Sequence, residues 1–194
     1  MAQVKENNYL KGKLLLSMPT MSDPRFFKSV IYICNHDDQG AMGLNINNRM
    51  PGFNFKQLLA QLNIKDDPEY KEQLEQIDVM NGGPVETARG FVLHSNDFIK
   101  EDTIRIDDKL AVTGTIDAIK EIASGNGPKD MIFMLGYAGW SEGQLDEEIR
   151  QNAWLIAEAD YDLVFNTTAD EKWEKAIAKL GINPNMLSGE AGRA

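Results

Sequence analysis

The segment 130–149 narrows the possible folds more than any other part of the chain. An apolar run at 131–135 leads into Gly136-Tyr-Ala-Gly-Trp140, and a helical pattern opens at Ser141. The run predicts a buried strand that ends at Leu135, a few residues before the predicted helix. Junctions of this kind expose free backbone N–H groups and often line ligand clefts in layered structures. We therefore expect a site at residues 136–144.

Other short apolar runs are bounded by Gly, Pro, Asn or Asp, which is typical of strands rather than helices. They lie at 13–18, 29–34, 41–47, 77–80 and 90–94. The second and third runs are separated by turn-forming residues at 35–40, so they predict an antiparallel hairpin. His36 is expected to be a solvated residue of that turn, and His94 a hydrogen-bonded residue at a strand end.

Three segments carry helical signals. Asn54 as N-cap and Gln57 three residues later predict a helix start, and apolar positions at helical spacing mark 115–123. A capping box at 168–171 opens a third helix, which we expect to end at Gly181. Few strands and helices lie on either side of the charged stretch 65–75, so we predict one α+β domain. Its sheet should be curved, mixed and mostly antiparallel, with flanking helices.

Composition excludes several classes of protein. A chain of 194 residues suits one domain with a real core. The single cysteine, Cys34, rules out an intramolecular disulfide and a multi-thiolate zinc site, and two histidines rule out a three-histidine metal site. The formal net charge of -10, without a basic patch, makes direct nucleic-acid binding an unfavourable expectation. Because a disulfide and a multi-thiolate zinc site are excluded, the fold must be stabilised by packing alone.

The chain shows no targeting or membrane signal. No stretch reaches the roughly 18 consecutive apolar residues of a spanning helix. The first eight residues lack both a basic region and an apolar region of a secretory signal. We therefore predict a cytoplasmic protein without membrane contact. We also expect residues 1–8 to be flexible and residues 182–194 to form a C-terminal tail, since the tail thins into Ser, Gly and Ala.

Two groups of residues form the candidate ligand site. The first is the glycine-rich turn Gly82-Gly83-Pro84 with Arg89, and the second contains Tyr137, Gly139, Trp140 and Gln144. In the functional interpretation, free N–H groups at 139–143 and the helix dipole hold an anion or polar ligand. In the structural interpretation, Gln144 caps the helix, the aromatic rings pack in the core, and the turn only clears a neighbouring strand.

The candidate groups leave further alternatives open. Arg89 either holds an acidic ligand through its planar guanidinium or pairs with one of the surplus carboxylates. Cys34 is expected to be a small buried hydrophobe. No nucleophile, phosphate-loop or metalloprotease motif is present, so we assign no catalytic residue, no metal ligand and no cofactor.

Several ordered blocks of the sequence resemble one known family, the AlgH-like (YqgE) family. The blocks are Gly12-Lys-Leu-Leu-Leu-Ser-Met-Pro19, Asp23-Pro-Arg-Phe-Phe27, Gly40-Ala-Met-Gly-Leu-Asn-Ile-Asn47, Gly82-Gly-Pro84, Phe91-Val-Leu-His94 and Gly136-Tyr-Ala-Gly-Trp140 with Gln144-Leu145. The resemblance covers residues 9–181, which we take as the domain. It implies a bacterial cytosolic protein whose sheet wraps into a pseudo-barrel, and it implies no established chemistry.

Three functions remain open from the sequence. The first is a cytosolic binding or regulatory protein for an unknown small molecule or protein, with an indirect part in transcriptional regulation, which one family member's name suggests. The second is an enzyme of unrecognised type with its site at 82–84 and 136–144. That hypothesis requires facing titratable groups, for example His94 and Asp23. The third is a protein interaction module, which predicts a flat apolar patch.

Overall fold

A computed structural model describes residues 9–187 of the chain. The strands are β1 (Lys13–Ser17), β2 (Val30–Asp37), β3 (Gly40–Asn45), β4 (Arg49–Asn54), β5 (Asp78–Asn81), β6 (Val85–Ser95), β7 (Ile104–Arg105), β8 (Leu110–Thr113), β9 (Met131–Ser141) and β10 (Trp154–Glu158). The α-helices are α1 (Phe55–Gln61), α2 (Lys71–Glu75), α3 (Ile116–Ala123), α4 (Gln144–Arg150), α5 (Tyr161–Phe165) and α6 (Ala169–Lys179).

The strands form one curled sheet in the order β10-β1-β2-β3-β9-β6-β8-β7. β5 lies off this path and pairs with β4 and β9. Every pair among residues 9–187 is antiparallel except β5 with β9. The prediction of a single α+β domain with a mixed, mostly antiparallel sheet is therefore confirmed.

Both faces of the sheet are buried. Leu14 and Leu16 of β1 belong to one core, whereas Leu15 between them belongs to another, as the period of two in a strand requires. The first core, here called the inner core, joins residues from most of the strands with residues of α5 and α6. On the outer face, α1, α2 and α3 pack over β5, β6 and β9, and α4 packs near β1 and β10. Burial on both faces explains why the strands are continuous apolar runs.

Local signals placed the first helix correctly. Asn54 caps α1 by accepting the backbone N–H of Gln57 at 3.0 Å, and the Gln57 side chain accepts the backbone N–H of Asn54 at 2.9 Å. These reciprocal bonds satisfy two N–H groups that a helix start otherwise leaves free. The helix start predicted at Asn54 is therefore confirmed. The capping box predicted at 168–171 is not formed, because the Thr168 hydroxyl donates to the Glu171 carboxylate at 2.7 Å and makes no capping bond to the backbone of α6.

The β2–β3 hairpin is confirmed, but its turn is shorter than predicted. Residues 35–37 continue β2 and pair with residues 40–42 after a register shift at Ile33. His36 is therefore buried in the strand, where its Nδ1 accepts the backbone N–H of Leu10 at 3.2 Å. The expectation of a solvated turn histidine was wrong, because the polar residues at 35–37 resemble a turn in sequence although they continue the ladder.

The predicted strand end at Leu135 was also wrong. β9 continues through the glycines to Ser141, and Gly139 pairs with Met42 of β3. The helix α4 starts only at Gln144 and has seven residues. Residues 139–141, which were expected to expose free N–H groups, therefore belong to a paired strand. Sequence reasoning treated the glycines as chain breakers, whereas Gly136 absorbs an irregularity at φ +75° and the ladder continues.

The two chain ends were predicted to be less ordered. Residues 1–8 and 188–194 lie outside the described residues. Within the predicted tail, Pro184–Met186 forms a 3-10 turn, and Ile182 and Leu187 pack against the inner core. No helix among residues 9–187 has the length and apolar character needed to cross a bilayer.

Lys172 of α6 is a buried cation. Only 3% of its surface is exposed, and its Nζ donates a hydrogen bond to the carbonyl oxygen of Ile46 at 3.3 Å. Burial, with a smaller contribution from the Arg49 cation, lowers the pKa of Lys172 from 10.5 to about 8. Above pH 8 the unfolded chain therefore holds a proton that the folded chain releases. The buried charge destabilises the fold fully below pH 8, and this cost disappears as the pH rises through 10.5.

We expect the Lys172→Met variant to be more stable than the native protein at pH 7. The gain in unfolding free energy should be about 1–2 kcal/mol, because removal of the charge outweighs the lost hydrogen bond to Ile46. The gain should shrink at pH 10, where native Lys172 is mostly neutral in the fold. Urea denaturation at both pH values measures it. Lys175→Met, at an exposed site of the same helix, is the control, and an equal gain at both pH values would contradict the argument.

Candidate functional site

The segment that connects β5 to β6 passes over the backbone of β9. Both strands pair with residues 133–135 of β9, so they must lie along its two opposite edges. Asn81 pairs with Leu135, and Val85 pairs with Tyr137. Residues 82–84 join the two edges and therefore pass over β9 at Gly136. The sequence predicted that the two glycine-bearing segments would come together, and they do.

The crossing brings two backbones into direct contact. The N–H of Gly82 donates to the carbonyl oxygen of Leu135 at 2.8 Å. A Cβ on Gly82 would lie 2.2 Å from the carbonyl oxygen of Gly136, and one on Gly83 would lie 2.1 Å from the carbonyl carbon of Tyr137. These separations are shorter than any real Cβ contact, so only glycine fits both places. The backbones fill the space between the two segments, and no cleft opens there.

The candidate residues instead line two separate hollows. Gly83 and Pro84 line a small hollow of about 150 Å³. Two of its polar side chains already bond within the protein, since Asn81 accepts the N–H of Gly83 at 3.3 Å and Arg25 pairs with Asp23 at 2.6 Å. These two side chains are therefore less available to a ligand.

Arg89 and Tyr137 line the second hollow, here called the inner cavity, which has a volume of about 210 Å³. It lies next to the inner core. Residues of six strands and of the loops beside them form its lining. The lining residues are Cys34, Met42, Glu86, Arg89, Phe91, Asp102, Ile104, Val112, Gly114, Thr115 and Tyr137. The inner cavity is thus an unfilled part of the same core that α5 and α6 complete elsewhere.

Aromatic rings form one wall of the inner cavity and charged groups form its rim. The Phe91 and Tyr137 rings meet edge to face at 5.9 Å, and the Arg89 guanidinium lies 5.0 Å from the centre of the Phe91 ring. Arg89 also approaches the Glu86 carboxylate at 3.4 Å. Glu86 has φ +45°, which is uncommon for a residue with a side chain. Backbone strain of this kind is found disproportionately at functional sites.

Two polar groups of residues that line the inner cavity differ in their hydrogen bonding and reactivity. They are the hydroxyl of Thr115 and the thiol of Cys34. The Thr115 Oγ1 atom is buried and has no hydrogen-bond partner, although Thr115 is the N-cap residue of α3. An unpaired buried hydroxyl costs free energy, which a ligand or a water molecule would recover. Burial raises the pKa of the Cys34 thiol to about 12, so the thiol stays protonated and is a poor nucleophile.

Trp140 and Gln144 line neither hollow. Trp140 is 7% exposed, and its Nε1 donates to Glu148 at 2.9 Å, as does Trp154 Nε1 at 2.7 Å. Gln144 donates to the other oxygen of Glu148 at 2.9 Å and accepts the backbone N–H of Ser141 at 3.1 Å. These contacts hold α4 against the outer face of the sheet. Trp140 therefore matches the packing interpretation. The capping interpretation of Gln144 was wrong, because the N-cap of α4 is Gly143 and no side chain caps this helix.

The titratable groups named for an enzyme do not face each other. His94 is fully buried, with its ring nitrogens 2.8 Å from Thr113 Oγ1 and 2.9 Å from the carbonyl oxygen of Ser95. Burial lowers the pKa of His94. Asp23 pairs with Arg25 at the surface, and that bond lowers the pKa of Asp23. Residues 9–187 contain no cluster of three or more His, Cys, Asp or Glu residues suited to a metal ion.

Most residues of the inner cavity were missed from the sequence. Phe91 appeared only as a strand residue and Thr115 only as part of a helical pattern, and Val112 belonged to no predicted element. Alternation along each strand could have shown which residues share a face. It could not have shown that β6 and β8 bring these residues to one place, because that depends on long-range pairing.

The fold and the inner cavity define a class of protein, in which a single α+β domain curls a mostly antiparallel sheet around its own core. The sequence profile of the AlgH-like family matches residues 14–185. The chain belongs to the AlgH-like family, as its sequence blocks suggested.

Relatives and solved structures agree with this assignment. A UPF0301 protein of Rhodopseudomonas palustris is 51% identical over 98% of this chain and 89% of its own length. A UPF0301 protein of Bradyrhizobium diazoefficiens is 50% identical over 96% and 89%. The AlgH protein of Pseudomonas aeruginosa has a solution structure that covers all of both chains with a TM-score of 0.78 and 41% identity. These relatives are bacterial, and the names state no substrate or reaction.

We expect the Gly83→Ala variant to lose at least about 3 kcal/mol of unfolding free energy. The new methyl group would meet the backbone of β9 in a conformation at φ +152° that disfavours side chains. Gly52→Ala is the control, because Gly52 also has a positive φ but has nothing within 4 Å of the position that a methyl group would occupy. We expect it to cost about 1 kcal/mol. Chemical denaturation compares the two, and equal losses would show that the crossing is not tight.

Proposed function

We propose that the protein is a cytoplasmic small-molecule-binding protein with a regulatory role, and that the inner cavity is its binding site. The single observation that supports this most directly is an apolar, aromatic-walled cavity with a few polar groups at its rim, which is the usual construction of ligand sites. The Thr115 hydroxyl, buried without a partner in the lining of that cavity, adds a second reason.

Binding is better supported than catalysis. The inner cavity contains no histidine, and its only thiol is held in the protonated form by burial. The buried His94 spends both ring nitrogens on neighbours within the protein. An enzyme would need a nucleophile next to a base within reach of a bound substrate. The two carboxylates of the lining, Glu86 and Asp102, are exposed at the rim, and Glu86 pairs with Arg89.

Any effect on transcription is proposed to be indirect. A net charge of -10 repels the phosphate backbone of DNA at long range. Regulation would then operate through a ligand-dependent contact with another protein.

The proposal predicts that a neutral aromatic probe binds in the inner cavity. We expect 4-ethylbenzamide to bind with a Kd below about 1 mM. The Ile104→Trp variant should weaken this binding about tenfold, because Ile104 lines the cavity and is 59% exposed at its mouth. Ile156→Trp changes an exposed isoleucine on the distant strand β10 and should leave Kd unchanged. NMR titration of the methionine methyl groups measures both. Absence of binding to the native protein would refute the proposed site.

A second prediction concerns nucleic acid. At ~0.15 M salt we expect a Kd weaker than about 100 µM for random duplex DNA, since non-specific binding depends on basic contacts with phosphates. Fluorescence anisotropy with a labelled duplex measures it. Salt-sensitive binding in the micromolar range would contradict an indirect role.

A further inference from the structure

We propose that the ligand of the inner cavity is a small aromatic carboxylate, whose ring lies against Phe91 and Tyr137 and whose carboxylate is held by Arg89 and Thr115. This inference rests on the proposed function and adds the chemical class of the ligand. It depends on where the cation and the unpaired hydroxyl lie relative to the apolar wall.

The guanidinium of Arg89 lies at the edge of the apolar wall. It stacks on Phe91 at 5.0 Å, and its second terminal nitrogen is 3.6 Å from the position that a Cβ on Gly114 would occupy. Gly114 directly precedes Thr115, so the cation lies beside the segment that carries the unpaired hydroxyl. Because Gly114 has no side chain, nothing separates the guanidinium from this segment.

Thr115 supplies the second contact after its side chain rotates toward the cavity, because the hydroxyl oxygen is buried in the unliganded protein. Its hydroxyl makes no capping bond to α3 and has no other partner. A hydroxyl can donate to a carboxylate, and the planar fork of an arginine binds a carboxylate through two parallel bonds. Arg89 and Thr115 together therefore match the two oxygens of one carboxylate better than they match a neutral or cationic group.

Two carboxylates on the rim oppose this assignment and have to be weighed. Glu86 approaches Arg89 at 3.4 Å, a distance that leaves the pair weak, and both side chains are about half exposed. Exposed pairs of this kind contribute little to stability. A ligand carboxylate in a partly desolvated position gains more from the same guanidinium. Asp102 also lines the rim, so a cationic ligand is the alternative that the experiment must exclude.

The volume of the inner cavity limits the size of the ligand. An apolar cavity of about 150 Å³ is known to hold benzene. The inner cavity, at about 210 Å³, therefore suits one aromatic ring with a short substituent and a carboxylate toward the rim. Larger molecules would have to extend into solvent past Ile104.

The test compares three probes that differ only in the polar group: 4-ethylbenzoate, 4-ethylbenzamide and 4-ethylbenzylamine. NMR titration of the native protein should give a Kd for the benzoate about tenfold lower than for the amide, and the amine should bind most weakly. Arg89→Gln should weaken benzoate binding about tenfold and amide binding by a clearly smaller factor, because the neutral amide gains no ion pair with the guanidinium. Thr115→Val should weaken benzoate binding severalfold. Arg105→Gln removes a nearby exposed cation outside the lining and should change neither.

The outcomes separate the two proposals. If the amide does not bind the native protein, the proposed function is wrong, whatever the benzoate does. If the amide binds but the benzoate binds no more tightly, or the amine binds best, the cavity is a ligand site and the carboxylate assignment is overturned. Equal loss of benzoate binding in Arg89→Gln and Arg105→Gln would also overturn it, because the attraction would then be non-specific. The comparison of probes on the native protein requires no variant to fold.

Discussion

The contact between two backbones at Gly83 and Tyr137 is the constraint on which the rest of the sheet depends. β9 has partners along both of its edges, and the chain must pass from one edge to the other within residues 82–84. A connection this short has to lie directly on the strand that it crosses. Side chains at 82, 83 or 136 would hold the two backbones apart and would separate β5 from β6. The register of the central strands therefore follows from three positions without side chains.

The crossing also explains where the inner cavity lies. β6 begins at Val85, and its register with β9 is irregular between Val85 and Gly90. Glu86 adopts a positive φ within this irregular part. Over these residues β6 is not in continuous register with β9, and the inner face next to them is left incompletely packed. Elsewhere the same core is closed by Trp173 and other residues of α6. A cavity thus results next to the tightest connection of the fold, and Glu86 and Arg89 of the irregular part of β6 form part of its rim.

The parts of the fold that could be predicted from the sequence are those that local interactions determine. The capping residues at Asn54 and the helical spacing of apolar residues at 115–123 act over a few residues, and both helices were found. The end of β9 was misplaced because a glycine in a strand and a glycine in a turn look alike in sequence. What distinguishes Gly136 is the chain segment that passes over it, and this segment lies about fifty residues earlier. Long-range pairing also limits which site residues could be predicted. Arg89 and Tyr137 could be named as candidates, whereas Thr115 could not, because it lies near Arg89 only after β6 and β8 pair.

The buried titratable groups indicate what kind of chemistry the interior can support. Burial raises the pKa of Cys34 and lowers the pKa of His94, so both groups are neutral near pH 7. Such groups contribute packing and hydrogen bonds, and they add no charge next to the inner cavity. The buried cation Lys172 does not line the cavity. The charge near the inner cavity comes from Glu86, Arg89 and Asp102, which are exposed at its rim. An apolar lining with charges at its entrance would select a ligand by the fit of its apolar part and by the sign of its polar group.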